Sequence, residues 1–316
     1  MASARPKTFM SGAALAWKWQ RLIWWVFAVC LLLGFCAASG SIDRLAEGIN
    51  HSVASKRLLD GFEISAIAEL ASVPDAPLQA SNTGSTAFSL IFLVFMLFST
   101  GGILATYVRD EYPSTSVFFE ACGYHFWRFL RLMLWLVVAL IPVGIVGAIG
   151  AAAYNNIDEK SISPFPAVHM AEGTAVVVVF LLMVVRLWFD MAQVIAVFED
   201  EKRMHKALRL SAVLVAQNFL SLFWLYFRIS FIGWLLFAAG LHIWMMTLAP
   251  TATVLAFVLS QLMILFWVGT RMWQRASEAL WYREYRATQE AMQPVWTPAP
   301  IPVIEPVAVA VDPATT

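Results

Sequence analysis

The chain has 316 residues, of which 60% are apolar and 13% are Asp, Glu, Lys or Arg. Soluble domains carry roughly 45–50% apolar and about 25% charged residues, so the surplus apolar surface has to face lipid. The 21 basic and 21 acidic residues cancel, and the basic stripe of a nucleic-acid binder is missing.

Six apolar runs approach or exceed the ~20 residues of a spanning helix: 22–38, 87–108, 132–153, 174–198, 218–240 and 251–270. Inside a bilayer each must be a helix, because an open chain would leave its peptide groups unpaired. The fold class expected is therefore all-α, a polytopic membrane bundle with interfacial amphipathic helices. Residues 1–21 form an N-terminal segment, and 13–20 can extend the short first span through the interface. Arg5, Lys7, Lys18 and Arg21 before that span, with Cys36-Ala37-Ala38-Ser39 at its end, have the outline of a signal peptide. Its long basic region and the spans that follow favour an uncleaved first helix.

The first outer loop, 39–86, carries apolar residues at mostly helical spacing between Leu58 and Leu70, which suits two short helices over the outer face. Two inner loops resemble each other. One follows Arg109-Asp110-Glu111 and the other Glu199-Asp200-Glu201, and an amphipathic stretch, 118–131 or 204–217, leads from each into the next span. Asp110 to Phe129 and Asp200 to Phe219 have the same spacing. This pattern suits a duplicated unit of span, interfacial helix and span, or two inner loops that simply share a length. Acidic residues at helix C-termini oppose the helix dipole, so these are expected to pair with the basic interfacial helices as a structural lock. In the third span, Gly144, Ala148 and Ala152 form a small-residue stripe that would let two helices approach. Residues 271–293 read as an amphipathic helix on the cytoplasmic surface. The Pro-rich segment 294–316 reads as a disordered tail.

Fifteen of the Lys and Arg residues flank one side of the spans, and only Arg44, Lys56, Arg57 and Lys160 the other. The excess marks the cytoplasmic side, so both termini are expected there, in a plasma (inner) membrane. The lipid bilayer is the first partner.

Polar residues within the spans are the candidate site: Arg186 and Asp190 one turn apart in the fourth, Arg228 in the fifth and Gln261 in the sixth. A rise of ~1.5 Å per residue puts them roughly 18, 12, 15 and 14 Å from the inner ends of their spans, a shared layer. A mid-bilayer arginine costs ~2.5–3.5 kcal/mol on insertion scales. Three arrangements would accommodate that cost. Arg186 could pair with Asp190 while Arg228 bonds backbone carbonyls or Gln261. The boundary could instead lie near Trp188, with Arg186 snorkelling to it. Alternatively, the four residues could line a cavity with one spare positive charge, suited to a phosphate, a lipid headgroup or a carboxylate. No metal or cofactor is expected: the five histidines are scattered, and no Cys-x-x-Cys, P-loop or Gly-x-Ser-x-Gly occurs. Without a nucleophile or metal set, no catalytic residue is assigned.

The segment from Arg186 to Ser211, with Glu199-Asp200-Glu201 followed by Ala207-Leu208-Arg209-Leu210-Ser211, resembles the six-span membrane domain attached to some glycerophosphodiester phosphodiesterases. The likeness covers about 118–232. In those enzymes hydrolysis belongs to a separate soluble domain, for which this chain has no room, so the resemblance implies a bacterial helical membrane module without the activity. Two functions follow. One is a transporter-like or accessory protein handling an anionic or lipid-like ligand. The other is a structural or assembly protein whose outer loop and tail bind protein partners.

Overall fold

The computed structural model describes residues 7–50, 83–110, 114–160, 165–246 and 252–292. Among them the chain forms eight α-helices and no strand: α1 (Lys7–Lys18), α2 (Gln20–Asn50), α3 (Thr83–Arg109), α4 (Thr115–Lys160), α5 (Phe165–Phe198), α6 (Met204–Gln217), α7 (Phe219–Met246) and α8 (Thr253–Met292). Six of these (α2, α3, α4, α5, α7 and α8) are long and apolar enough to cross a membrane. The chain is a multi-pass membrane protein. Most of the outer loop 39–86, with its expected short helices, lies outside the described residues, as does the tail 294–316.

Neighbouring helices run up and down, in contact where side chains are small. Gly150 of α4 meets Thr174 of α5, Gly101 of α3 meets His125 of α4, and Gly240 of α7 meets Met263 of α8. The stripe Gly144, Ala148, Ala152 does not make the α4–α5 contact. Nothing lies within 4 Å of a Cβ built on Gly144, and all three residues are exposed. The contact uses Gly147, where an added Cβ would lie 3.8 Å from Val178, and Gly150 instead, one face further round the helix.

Residues 13–20 do not extend the first span. Trp273 Nε1 donates to the Phe9 carbonyl at 2.9 Å, and Gly12 packs on Ser277, so α1 runs along α8 in the same direction. The chain turns at Trp19 and α2 runs back, with Phe35 beside Phe257 at 6.0 Å between ring centroids. The two inner connections also differ. Residues 118–131 are continuous with the following span in the 46-residue α4, whereas α6 is separated from α7 at Asn218. Their starts match closely. Asp110 (φ 53°) and Asp200 (φ 47°) are the non-glycine residues with left-handed backbone among those described, a conformation Asp tolerates better than most residues.

Packing is concentrated at one end of the bundle, the basic end. There Leu187 to Ala196 of α5 meet α6, Phe129 and Leu132 of α4, and Leu222 and Tyr226 of α7. A second cluster joins Leu15 and Trp19 to Ile103, Tyr107, Met272 and Ala276. At the other end large apolar side chains point outward, among them Ile145, Val176, Leu235 and Val254. That exposure suits a hydrocarbon solvent, which gives apolar side chains no reason to cluster. The described part of the stretch 271–293, residues 271–292, is not a surface helix. It continues α8 without a break, and Met272, Gln274 to Leu280 and Tyr282 are buried between α1, α3 and α5.

Candidate functional site

Spacing of four residues puts Arg186 and Asp190 on one face of α5, and the facing turn of α8 brings up Arg271. Arg186 Nε lies 3.9 Å and Arg271 Nη1 3.8 Å from the same Asp190 Oδ2. Both separations exceed hydrogen-bond length, and this buried oxygen has no hydrogen-bond partner. Two guanidinium groups thus share one carboxylate without closing on it.

The α8 face continues the polar line inward. Arg271 Nη1 donates to Gln274 Oε1 at 2.9 Å, and Gln274 Nε2 donates to Glu278 Oε1 at 3.0 Å. Positions 271, 274 and 278 fall on one stripe of a 3.6-residue helix. Arg275, on the flank facing α3, donates to Thr100 Oγ1 at 2.7 Å, and Thr100 donates in turn to the Met96 carbonyl at 2.6 Å. Gln274, Arg275 and Glu278 are almost fully buried. In formal charge, three arginines (186, 271, 275) meet two carboxylates (190, 278), leaving one positive charge over. Buried ions are costly unless paired and hydrogen-bonded, which explains why this part of α8 is tied to α3 and α5 together.

A groove of about 520 Å³ opens between α5, α7 and α8. Val179, Leu182, Phe231, Trp234 and Trp267 make its apolar walls, and Tyr226, Arg186, Arg271 and Gln274 close the basic end. The Arg186 side chain is 44% exposed and that of Arg271 20%. Both guanidiniums can therefore reach an occupant while Asp190 stays beneath them.

Of the three arrangements open to these residues, the four-residue cavity does not form. Arg186 and Asp190 come together at the groove. Arg228 projects away from it toward α1, its guanidinium 4.9 Å from the Phe9 ring centroid and 5.8 Å from that of Trp224, within cation–π range. Its Nε is buried without a hydrogen bond. Gln261 Nε2 reaches Ser260 Oγ at 3.4 Å and its Oε1 has no partner, outside the groove lining. Arg271, Gln274, Arg275 and Glu278 are not among the residues that the sequence alone points to. Their signal was present as alternating charge at helical spacing among Ala276, Ser277 and Ala279.

The acidic ends of α3 and α5 pair with basic side chains. Lys18 bonds Asp110 at 2.8 Å. Asp200 accepts from Arg128 at 2.6 Å and Tyr124 at 3.0 Å. Glu201 accepts from Lys206 at 2.5 Å. Glu199 accepts from the Tyr282 hydroxyl at 2.9 Å and lies 3.2 Å from Arg286 Nε. The Arg128 hydrogen bond holds the Asp200 carboxyl below the usual carboxylate range. No group of three His, Cys, Asp or Glu able to hold a metal occurs among the described residues.

Protein-family models, curated proteins and solved structures give no match to this chain. Function has to be read from the groove and the charges at its end.

Proposed function

We propose that the groove between α5, α7 and α8 binds an anionic amphiphile, and that the chain is a transporter-like or accessory membrane protein handling such a ligand. The observation that carries this reading is the pairing of an apolar trough with Arg186 and Arg271 at its end, where one carboxylate serves two cations. An acyl chain can lie on Leu182, Phe231 and Trp234 while its phosphate or carboxylate takes the spare donors. Arginine suits this task because its planar fork offers paired hydrogen bonds to either anion. Intramembrane ionisable groups are rare and can mark substrate or ion pathways. In this reading the basic end is cytoplasmic, following the excess of Lys and Arg there, and the membrane is a bacterial inner membrane. The resemblance to the membrane domain of glycerophosphodiester phosphodiesterases agrees with a non-catalytic helical module.

The test is retention of ligand by the full chain in non-ionic detergent, counted by native mass spectrometry after adding oleate, phosphatidylglycerol or phosphatidylcholine. The variant R186Q/D190N/R271Q removes both cations without leaving a buried carboxylate unpaired. Wild type is expected to retain the anionic species over phosphatidylcholine. The variant should lose that preference by about tenfold or more, since a charge-assisted hydrogen bond contributes roughly 1.5–3 kcal/mol. Equal retention by the two proteins would refute the proposal.

A further inference from the structure

A second basic site lies on another face of the bundle, against the loop between α5 and α6. A depression of about 470 Å³ is lined by Arg131, Trp135 and Val138 of α4 and by Lys202, Arg203 and His205. All three permanent cations are exposed, and none makes a side-chain ion pair among the described residues. The nearby acids are committed elsewhere. Asp200 holds Arg128, Glu199 pairs with Arg286, and Glu201 holds Lys206 while also accepting from the Arg203 backbone N–H at 3.1 Å. The guanidinium and ammonium groups of Arg131, Lys202 and Arg203 are thus exposed in the depression without a carboxylate ion-pair partner among the described residues.

From this arrangement we infer that the depression is a binding site for the headgroup of an anionic phospholipid in the leaflet at the basic end. Two features select a lipid over a soluble anion. Leu134, Trp135 and Val138 are 64%, 50% and 53% exposed and begin the apolar face of α4 that continues through Ile141 and Ile145. An acyl chain would cover them; a free phosphate would leave them bare. The indole also sits one turn from Arg131, the boundary position that Trp favours. The headgroup phosphate would bridge Arg131 on α4 to Lys202 and Arg203 on the loop. It would thereby fasten the turn at Asp200, whose left-handed backbone is otherwise held through Arg128 and Tyr124. This site is independent of the α5–α7–α8 groove and stands or falls without it.

The experiment uses the full chain in detergent with phosphatidylglycerol carrying a diazirine on its headgroup, and cross-linked peptides are mapped by mass spectrometry. Labelling is expected at 134–138 and 202–205, saturable, displaced by unlabelled phosphatidylglycerol and not by phosphatidylcholine. R131Q/K202Q/R203Q should raise the half-saturating concentration by about a hundredfold, as expected for three charges near an anionic surface. R131K/R203K, which keeps the charge, should remain within about tenfold of wild type. The groove variant R186Q/D190N/R271Q should label this site as wild type does. Displacement by phosphatidylcholine, undiminished labelling of the triple glutamine variant, or complete displacement by millimolar inorganic phosphate would each overturn the assignment. The last would mean that the site takes a free anion.

Discussion

Arg275 of α8 donates its Nη1 hydrogen to the Thr100 hydroxyl of α3 across 2.7 Å, and both side chains are buried. The bond joins the continuation of the sixth span to the second at the level where α3 carries Gly101 and Gly102. Arg275 Nε has no hydrogen-bond partner, so the Thr100 hydroxyl supplies the hydrogen bond that this buried guanidinium makes. Thr100→Val keeps the shape and removes the acceptor. It is expected to destabilise the protein by about 1–3 kcal/mol, the cost of leaving a buried polar group unsatisfied. Thr100→Ser should stay close to wild type. Thermal unfolding of the three proteins in one detergent checks this.

Gly12 sets how closely α1 approaches α8. A Cβ there would lie 2.8 Å from the Ser277 Cα, a backbone atom that cannot rotate aside. Gly12→Ala should force the helices apart at about 1–3 kcal/mol, as other overpacked contacts do. Gly144→Ala, with open space around it, should be neutral or slightly stabilising because Ala is the better helix former. Melting temperatures of the two variants, measured side by side, should move in different directions or by clearly different amounts.

The Arg128–Asp200 pair supplies a pH-dependent part of stability. Asp200 has a depressed pKa in the folded protein, so its contribution is full above the unfolded carboxylate value of about 3.9 and is lost as pH falls through the lower folded value. The difference in melting temperature between wild type and Asp200→Asn should be steady from about pH 7 to 5 and should close below about pH 4. Asn tolerates the left-handed backbone at this position, so the comparison isolates the charge. A difference that persists unchanged to pH 3 would mean that the ion pair is not its source.

The spans and the Arg186–Asp190 pair were legible because each depends on a single helix. Lipid demands a continuous apolar run, and a spacing of four fixes two side chains on one face. Arg228 shows what one helix cannot reveal. Rise per residue gave its depth, but the direction in which it points depends on how α7 is rotated against α1 and α5. By apolar run alone the sixth span ends at Thr270, because Arg271 begins a charged stretch. In the fold that stretch is buried, since Asp190 of α5 and Thr100 of α3 meet its charges from neighbouring helices and Gln274 accepts from Arg271 within α8. The turn at Trp19 carries no Gly or Pro to announce it. There α1 and α2 both pack on α8, and the turn follows from that tertiary contact.

The most direct test of the groove is photolabelling with a fatty acid that carries a diazirine in its acyl chain, followed by peptide mapping on the full chain. Adducts should concentrate on Val179 to Met183 of α5, Phe227 to Trp234 of α7 and Trp267, and R186Q/D190N/R271Q should remove most of them. Adducts spread evenly over outward-facing residues such as Val137, Ile141 and Val254, and unchanged in the variant, would contradict a ligand held by Arg186 and Arg271.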